Sequence, residues 1–296
     1  MSQEQSVHSR PGTATVGEMG VELVPMGADA AAPKGTLSVH DASWPVAGTI
    51  EFRGVTFAYR DNPPALRNLS FSIKSGERVG VCGRTGAGKS SILFALFRMA
   101  GLAEGDILVG GKNITYDVPL CLLRQRMAII PQDPVLLTGT MRFALDPFGD
   151  YSEQQVLEAL ETVNMAGTIR ALPLGLEEPV LEGGSNLSHG QRQLVCIARA
   201  LLRDARILVV DEGTSAVDPA TDNLIQDALK NASKRRGTTV LAIAHRLQTI
   251  QDFDKILVMG EGQLLEYATP EVLLADKSSH FYSMLQETLD KAETQQ

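Results

Sequence analysis

A glycine-rich loop between an apolar run and a helix-forming run constrains this chain more than any other feature. Residues 78–82 are predicted to form a buried strand, and residues 90–98 to form a helix. Between them the sequence reads Gly83, Arg84, Thr85, Gly86, Ala87, Gly88, Lys89 and Ser90. This spacing turns successive backbone N–H groups toward one centre, where the lysine reaches phosphates and the serine hydroxyl suits Mg²⁺. We therefore predict a phosphate-binding loop rather than a glycine turn beside a surface lysine.

Composition and charge exclude several classes of function. The 296 residues carry a formal net charge of −8, which disfavours a protein that binds nucleic acid through clustered Lys and Arg. The 3 cysteines show no Cys-x-x-Cys spacing, which indicates a reducing compartment without structural zinc, and we expect each of them in the core. Because no run approaches the ~18 apolar residues of a membrane helix, we expect the chain itself to be soluble, whatever it is fused to.

The chain divides into a tail and one large domain. Residues 1–43 are rich in Gly, Ala, Ser and Pro and are predicted to be a flexible linker, followed by a domain over residues 44–296. Alternating runs at 48–52, 55–59 and 69–73 predict a small antiparallel sheet. The pattern over 152 to about 170 is helical, and we expect a helical subdomain at about 133–190.

Two apolar runs, 207–210 and 238–244, predict strands that are buried on both faces. Such strands belong to parallel α/β sheets, whose ligand sites gather at the carboxyl ends of the strands. The first run ends in Asp211 and Glu212, and the second ends in His245. Asp211 stands where an acid holds Mg²⁺ through water, and Glu212 could polarise an attacking water. Taken alone, the acids could instead be two solvated strand-end carboxylates, and a lone histidine at a strand end is more often a hydrogen-bonded structural residue.

Another helix is predicted to begin near residue 189. Ser188 and Gln191 have the spacing of a capping box, and the helix should extend to about Arg203. His189 and Gly190 would therefore lie at the accessible N-terminus of this helix. Gln132, taken alone, could be a loop residue whose amide binds no ligand.

Taken together, residues 44–287 resemble the nucleotide-binding domain of an ABC transporter. The resemblance is carried in order by Tyr59, the loop at 83–91 that ends in Ser91, Gln132, the signature at 187–191, Asp211-Glu212, a D-loop at 215–218 and His245. It implies an α/β phosphate-loop NTPase core with a parallel sheet, an N-terminal antiparallel β subdomain and a helical subdomain.

The resemblance also implies a role for each site residue. ATP would be held by Tyr59 against adenine and by the loop residues 83–91 on the phosphates, and Mg²⁺ by Ser90, Gln132 and, through water, Asp211. Glu212, His245 and Lys89 would be catalytic. Contact to an ATP held by a partner domain would come from Ser188, His189, Gly190 and Gln191, and Asp218 would couple the two domains.

The runs at 83–91, 145–148 and 182–188 are similar to the multidrug-resistance-associated subfamily, and especially to its second domain. This similarity implies a head-to-tail partnership with another nucleotide-binding domain and with transmembrane domains, at the cytoplasmic face of a plasma or organelle membrane. Two departures are His189, where the family has glycine, and Gly213, where alanine is common.

The implied function is ATP hydrolysis that powers export of organic anions, conjugates or drugs. Two alternatives stay open: a nucleotide-sensing regulatory domain attached to a channel, and a soluble ABC protein that works on ribosomes or DNA. The acidic charge and the single phosphate loop disfavour the soluble class.

Overall fold

The computed structural model describes residues 36–38, 41, 43–60, 62–203, 205–211, 219–244 and 246–294. The strands are β1 Ile50–Phe57, β2 Leu66–Ile73, β3 Arg78–Gly83, β4 Glu104–Val109, β5 Lys112–Asn113, β6 Met127–Ile130, β7 Gly139–Thr140, β8 Pro179–Val180, β9 Ile207–Asp211, β10 Thr239–Ile243, β11 Lys255–Gly260 and β12 Gln263–Ala268. The α-helices are α1 Lys89–Leu96, α2 Leu120–Arg126, α3 Met141–Leu145, α4 Glu153–Thr162, α5 Ala166–Arg170, α6 His189–Leu202, α7 Pro219–Arg236, α8 Pro270–Ala275 and α9 His280–Thr294. Short 3-10 helices span Gly175–Glu177, Glu182–Gly184 and Leu247–Ile250.

The central sheet has the strand order β12-β11-β3-β10-β9-β6 and is parallel except at its β12 edge. Alternate residues of its strands enter two different cores. In β9, Ile207 and Val209 pack in the core that contains α1, whereas Leu208 and Val210 pack in the core that contains α6 and α7. Because both faces are covered, the strands are apolar throughout, and the prediction of a parallel α/β sheet is confirmed.

The second sheet is antiparallel, with the order β2-β1-β4-β5. The predicted antiparallel subdomain is confirmed, but half of its strands follow the phosphate loop in sequence. Strand β1 is continuous, although its alternation of buried and exposed residues changes phase within the strand. The buried positions are Ile50 and Phe52 before the change and Val55 and Phe57 after it. Gly54, at φ 58°, lies in the bulge that causes this change.

The helical pattern predicted over 152–170 is confirmed, and the structure divides it into two helices. Helix α4 ends at Thr162, and Asn164 adopts φ 55° before α5 begins. Asparagine tolerates this left-handed conformation, which a continuing helix cannot contain. Ser152 and Gln155 form a capping box at the start of α4, and their Ser-x-x-Gln spacing was a signal in the sequence.

The expectation for the cysteines holds for two of the three. Cys82 and Cys196 are buried, whereas Cys121 is exposed. Helix α2 buries Leu122 and Leu123, and Cys121 precedes them on the solvent side. Within the part of the chain that the structure describes, no helix is both long and apolar enough to cross a membrane.

Candidate functional site

Close backbone approach requires glycine at two of the three glycine positions of the loop at 83–90. A Cβ on Gly83 would lie 2.4 Å from the carbonyl oxygen of Met259, and one on Gly88 would lie 2.7 Å from that of Ala65. Both residues also have positive φ, at 150° and 96°. Gly86, at φ 81°, meets nothing within 4 Å, so the centre of the loop is open. The loop is thus packed from behind and accessible in front, as a cradle for an anion must be.

Lys89, the first residue of α1, folds back over this loop. Its Nζ donates to the carbonyl oxygens of Gly83 at 2.9 Å and of Arg84 at 3.1 Å, and the residue is only 8% exposed. An ammonium group has three N–H donors, and the hydrogen bonds found in the described part of the chain use two of them. The remaining donor and the full positive charge lie at the loop, where a phosphate would sit.

Strand register brings Asp211 to the same edge of the sheet as the loop. Asp211 of β9 pairs with Ile243 of β10, and Ile243 pairs with Val81 of β3. The loop begins at Gly83, two residues beyond Val81. Because these strands are parallel, the half-buried residue Asp211 lies at the carboxyl end of β9, at the predicted ligand edge.

Gln132 reaches this edge from the outermost strand. Ile130 at the end of β6 pairs with Val210, and Gln132 follows two residues later in an exposed loop. Glu212, Asp218 and His245 lie outside the described residues. Strand β10, which precedes His245 in sequence, runs between β3 and β9.

Tyr59 lies beside the helix that follows the loop. Its hydroxyl is 3.1 Å from Oγ of Ser91, a residue predicted to contact nucleotide. The ring is half-buried and packs edge-on against Phe57 and Phe94, with centroid distances of 4.9 and 5.6 Å. The structure therefore joins two predicted site residues that are 32 positions apart in sequence.

The predicted capping box at the start of α6 is confirmed. Gln191 N donates to Ser188 Oγ at 3.1 Å, and Ser188 N donates to Gln191 Oε1 at 2.9 Å. Gly190 is buried, and a Cβ there would lie 2.8 Å from Cγ2 of Thr221 on α7. The glycine thus serves helix packing, whatever it contacts in a partner. His189 is half-buried at the first helical position.

An ion pair between residues 222 and 246, which the sequence does not indicate, connects two segments of the domain. Asp222, in the first turn of α7, is 3.7 Å from the guanidinium of Arg246, the residue after His245. Gln226 also donates to Asp222, at 3.4 Å. An acidic residue in a first helical turn is a sequence signal for favourable placement near the helix dipole, but nothing local identifies its partner. The pair connects α7 to the segment after β10.

The thiol just before the loop is not available for chemistry at neutral pH. Cys82 is fully buried, and burial raises the pKa of its thiol to about 12. The lysine of the loop acts in the opposite direction and is the smaller effect. Cys82 is therefore a core residue of β3 and not a nucleophile.

The residues at this edge fit a nucleoside triphosphate with Mg²⁺. The loop supplies a backbone cradle that a Cβ at Gly83 or Gly88 would fill, and Lys89 supplies positive charge. The hydroxyl of Ser90, the amide of Gln132 and the carboxylate of Asp211 are oxygen ligands of the type that Mg²⁺ prefers. No group of three or more His, Cys, Asp or Glu side chains in the described ranges forms a separate metal cluster.

The chain is similar in sequence to known ABC transporters. The family described as ABC transporter matches residues 66–215. Human "ATP-binding cassette sub-family C member 4" is 50% identical over 252 residues, which is 85% of this chain and 19% of the relative. "Multidrug resistance protein mrp-7" of Caenorhabditis elegans is 47% identical over 249 residues, 84% of this chain and 16% of the relative. The chain thus spans less than a fifth of these relatives.

A solved structure has the same fold. "Structure of a bacterial Atm1-family ABC exporter with ATP bound" aligns with a TM-score of 0.77 and 34% identity, over 86% of this chain and 43% of that one. Family match, sequence identity and fold agree over the region that contains the phosphate loop and Asp211. The chain therefore belongs to the ABC transporter family, as an ATP-binding domain of the multidrug-resistance-associated subfamily.

Proposed function

We propose that this chain hydrolyses ATP to power export through transmembrane domains. The observation that carries the proposal is the register that brings the Lys89 loop and Asp211 to one edge of the sheet. Similarity to subfamily C members supports organic anions, conjugates or drugs as the exported class. It also supports a location at the cytoplasmic face of a plasma or organelle membrane.

The chain's own residues would act on the triphosphate by positioning and electrostatics. Backbone N–H groups of the loop would bind the phosphates, and Lys89 would stabilise charge that develops on the γ-phosphate. Ser90 and Gln132 would hold Mg²⁺ directly and Asp211 through water. The ion would neutralise charge that develops on the triphosphate.

The hydrolytic step would depend on two residues that follow β9 and β10 in sequence. Glu212 would orient and polarise the attacking water, and His245 would position the γ-phosphate. Tyr59 would hold adenine against its ring. The assignments of Glu212 and His245 rest on their positions in sequence, directly after Asp211 and two residues after Ile243, since both residues lie outside the described ranges.

We further propose that the partner is a second nucleotide-binding domain in a head-to-tail pair. The signature residues Ser188, His189, Gly190 and Gln191 would contact the ATP of that partner, and Asp218 would couple the two sites. A β-carbon at His189 hinders close approach of the helix N-terminus, while the chain's own loop is complete. This asymmetry supports the assignment of this chain as the second, C-terminal nucleotide-binding domain of a transporter. Its own phosphate loop would then hold the ATP of the catalytic site. The domain would begin near residue 44, with its helical subdomain at about 133–190.

Transmembrane domains would dock in a groove of about 780 Å³ near Gln132. The groove contains apolar side chains that are unusually exposed, with Phe148 at 87%, Met99 at 49% and Leu137 at 42%. Val135, at 64%, precedes Leu137 in the segment that leads from Gln132. Exposed apolar patches of this kind mark interaction sites. A helix or loop of the transmembrane domains that docks here would respond to movement of the segment that carries Gln132.

The decisive experiment measures phosphate release by the full transporter. Glu212→Gln should keep ATP binding and slow hydrolysis by roughly 10²-fold or more, the scale for losing a positioned catalytic group. Glu158→Gln, which removes an exposed carboxylate on α4, is the control and should have no effect. A transporter that binds ATP but shows no phosphate release even with wild-type Glu212 would instead support the nucleotide-sensing alternative.

A further inference from the structure

The side chain of Ser91 contacts an aromatic residue and is largely hidden from solvent. Ser91 is the third residue of α1 and is only 6% exposed. Its Oγ lies 3.1 Å from the hydroxyl oxygen of Tyr59, and one of the two groups donates to the other. The resemblance to ABC transporters implied that Ser91 contacts the phosphates. The structure gives its hydroxyl group a different partner.

Tyr59 lies in a loop, so its ring needs support from outside that loop. Strand β1 ends at Phe57, and Arg60 adopts φ 48°, which lies outside the backbone conformations of a strand. The carbonyl oxygen of Tyr59 accepts hydrogen bonds from the backbone nitrogen of Asn62 at 3.0 Å and from its Nδ2 at 2.9 Å. These bonds shape the loop without fixing the direction of the ring.

Helix α1 supplies the support. Ser91 and Phe94 are three positions apart, so they lie on the same face of this helix. The Phe94 ring lies 5.6 Å from that of Tyr59, at an interplanar angle of 75°. Ile92 and Leu96 of the same helix are fully buried in the core, which holds the helix in place. Tyr59 is therefore held at its hydroxyl group and at its ring by one fixed element.

We propose that Ser91 is a positioning residue for the nucleobase and that it acts through the hydroxyl group of Tyr59, not on the phosphates. This inference rests on the proposed stacking of adenine against Tyr59. The phosphates would lie at the N-terminus of α1, so the same helix sets the position of the phosphates and of the stacking ring. A ring that is already fixed loses less freedom when a base stacks on it, and binding is correspondingly tighter.

Two ligands separate this role from a phosphate contact. A non-hydrolysable ATP analogue contains the base, whereas inorganic tripolyphosphate has three linked phosphates without a base. Each is titrated calorimetrically into the full chain with Mg²⁺. Ser91→Ala should weaken binding of the analogue about two- to tenfold, the range for one lost neutral hydrogen bond, and should leave tripolyphosphate binding unchanged. Equal weakening for both ligands would show a phosphate contact and would overturn the proposal.

A double-mutant cycle tests whether Ser91 acts through the tyrosine hydroxyl group. Tyr59→Phe removes that group, keeps the ring and should weaken binding of the ATP analogue about as much as Ser91→Ala does. In the Tyr59→Phe background, Ser91→Ala should have no further effect, because the hydrogen bond is already absent. Additive losses, or unchanged affinity of the Ser91→Ala single variant, would contradict the proposal.

Two further variants control for stability. Ser233 is 8% exposed, and its Oγ donates to the carbonyl oxygen of Gly76 at 2.8 Å, so Ser233→Ala removes a comparable buried hydrogen bond. It should leave the affinity for the ATP analogue unchanged, and equal weakening would indicate a general effect of destabilisation and overturn the proposal. Ser91→Thr keeps the hydroxyl group and should retain more affinity than Ser91→Ala, which provides a reading if Ser91→Ala does not fold.

Lys89→Ala distinguishes failure of this inference from failure of the proposed nucleotide site. It should weaken binding of both ligands, because both carry the phosphates that the loop would hold. If Lys89→Ala changes neither affinity, the ligands do not bind at this loop and the proposed function is itself wrong. If Lys89→Ala weakens both and Ser91→Ala weakens neither, the nucleotide site stands and only the role of Ser91 is wrong.

Discussion

Tyr59 packs against two aromatic rings and is also the residue that we propose to stack on adenine. Phe57 and Phe94 hold its ring edge-on, and its hydroxyl lies 3.1 Å from Ser91. The ring is nevertheless only half-buried. A ring fixed in this way loses little freedom when a base stacks on it, which favours binding.

Replacing this ring should affect nucleotide affinity without affecting phosphate chemistry. Tyr59→Ala should weaken ATP binding by about 1 to 3 kcal/mol, the range for base–aromatic stacking. Tyr59→Trp should keep most of the affinity, because the stacking surface remains. A nucleotide titration measures both, with Tyr116→Ala at a 67% exposed position as the control. Equal affinities for wild type and Tyr59→Ala would mean that the ring is only a core residue.

The buried thiol of Cys82 should make stability fall at alkaline pH. Its folded-state pKa is about 12, raised by burial from an ordinary value near 9. Above about pH 9 the unfolded chain loses this proton while the folded chain keeps it, so the free energy of unfolding decreases as pH rises. Denaturant unfolding at pH 8 to 10.5 should show a shallower alkaline decline for Cys82→Ala than for the wild type.

Thiol labelling provides a check on the same burial. At neutral pH a thiol reagent should modify the exposed Cys121 quickly, and Cys82 and Cys196 only after unfolding. Identical alkaline declines for wild type and Cys82→Ala would contradict the raised pKa of the Cys82 thiol.

At the scale of elements, the contact between α6 and α7 depends on Gly190. A Cβ at this position would be 2.8 Å from Cγ2 of Thr221, whose branched side chain cannot easily move away. Gly190→Ala should therefore lower the free energy of unfolding by about 1 to 3 kcal/mol through overpacking. The higher helix propensity of alanine should offset part of this loss. Thermal or denaturant unfolding of purified variants measures the change.

Two variants make this prediction specific. Gly167→Ala lies within α5, where a Cβ meets nothing within 4 Å, and should stabilise the protein by about 0.5 to 1 kcal/mol. Thr221→Ser removes the offending methyl group and should restore most of the stability to Gly190→Ala. Destabilisation of Gly190→Ala that Thr221→Ser does not relieve would rule out this contact as the cause.

For the whole molecule, the exposed groove near Gln132 should matter only when transmembrane domains are present. Phe148→Asp should reduce transport and substrate-stimulated ATPase activity of the full transporter at least several-fold. A charged side chain would lose its hydration when it is buried in an apolar interface, and this loss disfavours docking. ATP affinity and thermal stability of this chain alone should not change, since Phe148 is 87% exposed.

The control places the same charge on another apolar surface position. Val272→Asp on α8, where Val272 is 60% exposed, should leave transport and ATPase activity as in the wild type. Equal losses for both variants would indicate a general effect of charge and would remove the groove from the docking proposal.

Local motifs were predictable because their physics is local. The loop at 83–90, the capping box of Ser188 and Gln191 and the apolar strands around Asp211 each depend on neighbours in sequence. Hydrophobic alternation likewise predicted the antiparallel sheet. The break at Asn164 was missed, because residues on both sides of it continue a helical pattern and only the backbone shows the left-handed turn.

By itself, therefore, the sequence determined the parallel α/β fold class, the phosphate loop and the residues that could bind nucleotide. The tertiary structure decided which of them meet. Register across β3, β10 and β9 places Asp211 at the edge that carries Gly83, and packing of α6 on α7 explains Gly190. The tertiary structure also pairs Asp222 with Arg246 and brings Arg126, Arg203 and Arg206 together at the amino ends of β6 and β9. These contacts join residues distant in sequence, and only the packing of the folded chain specifies their distances.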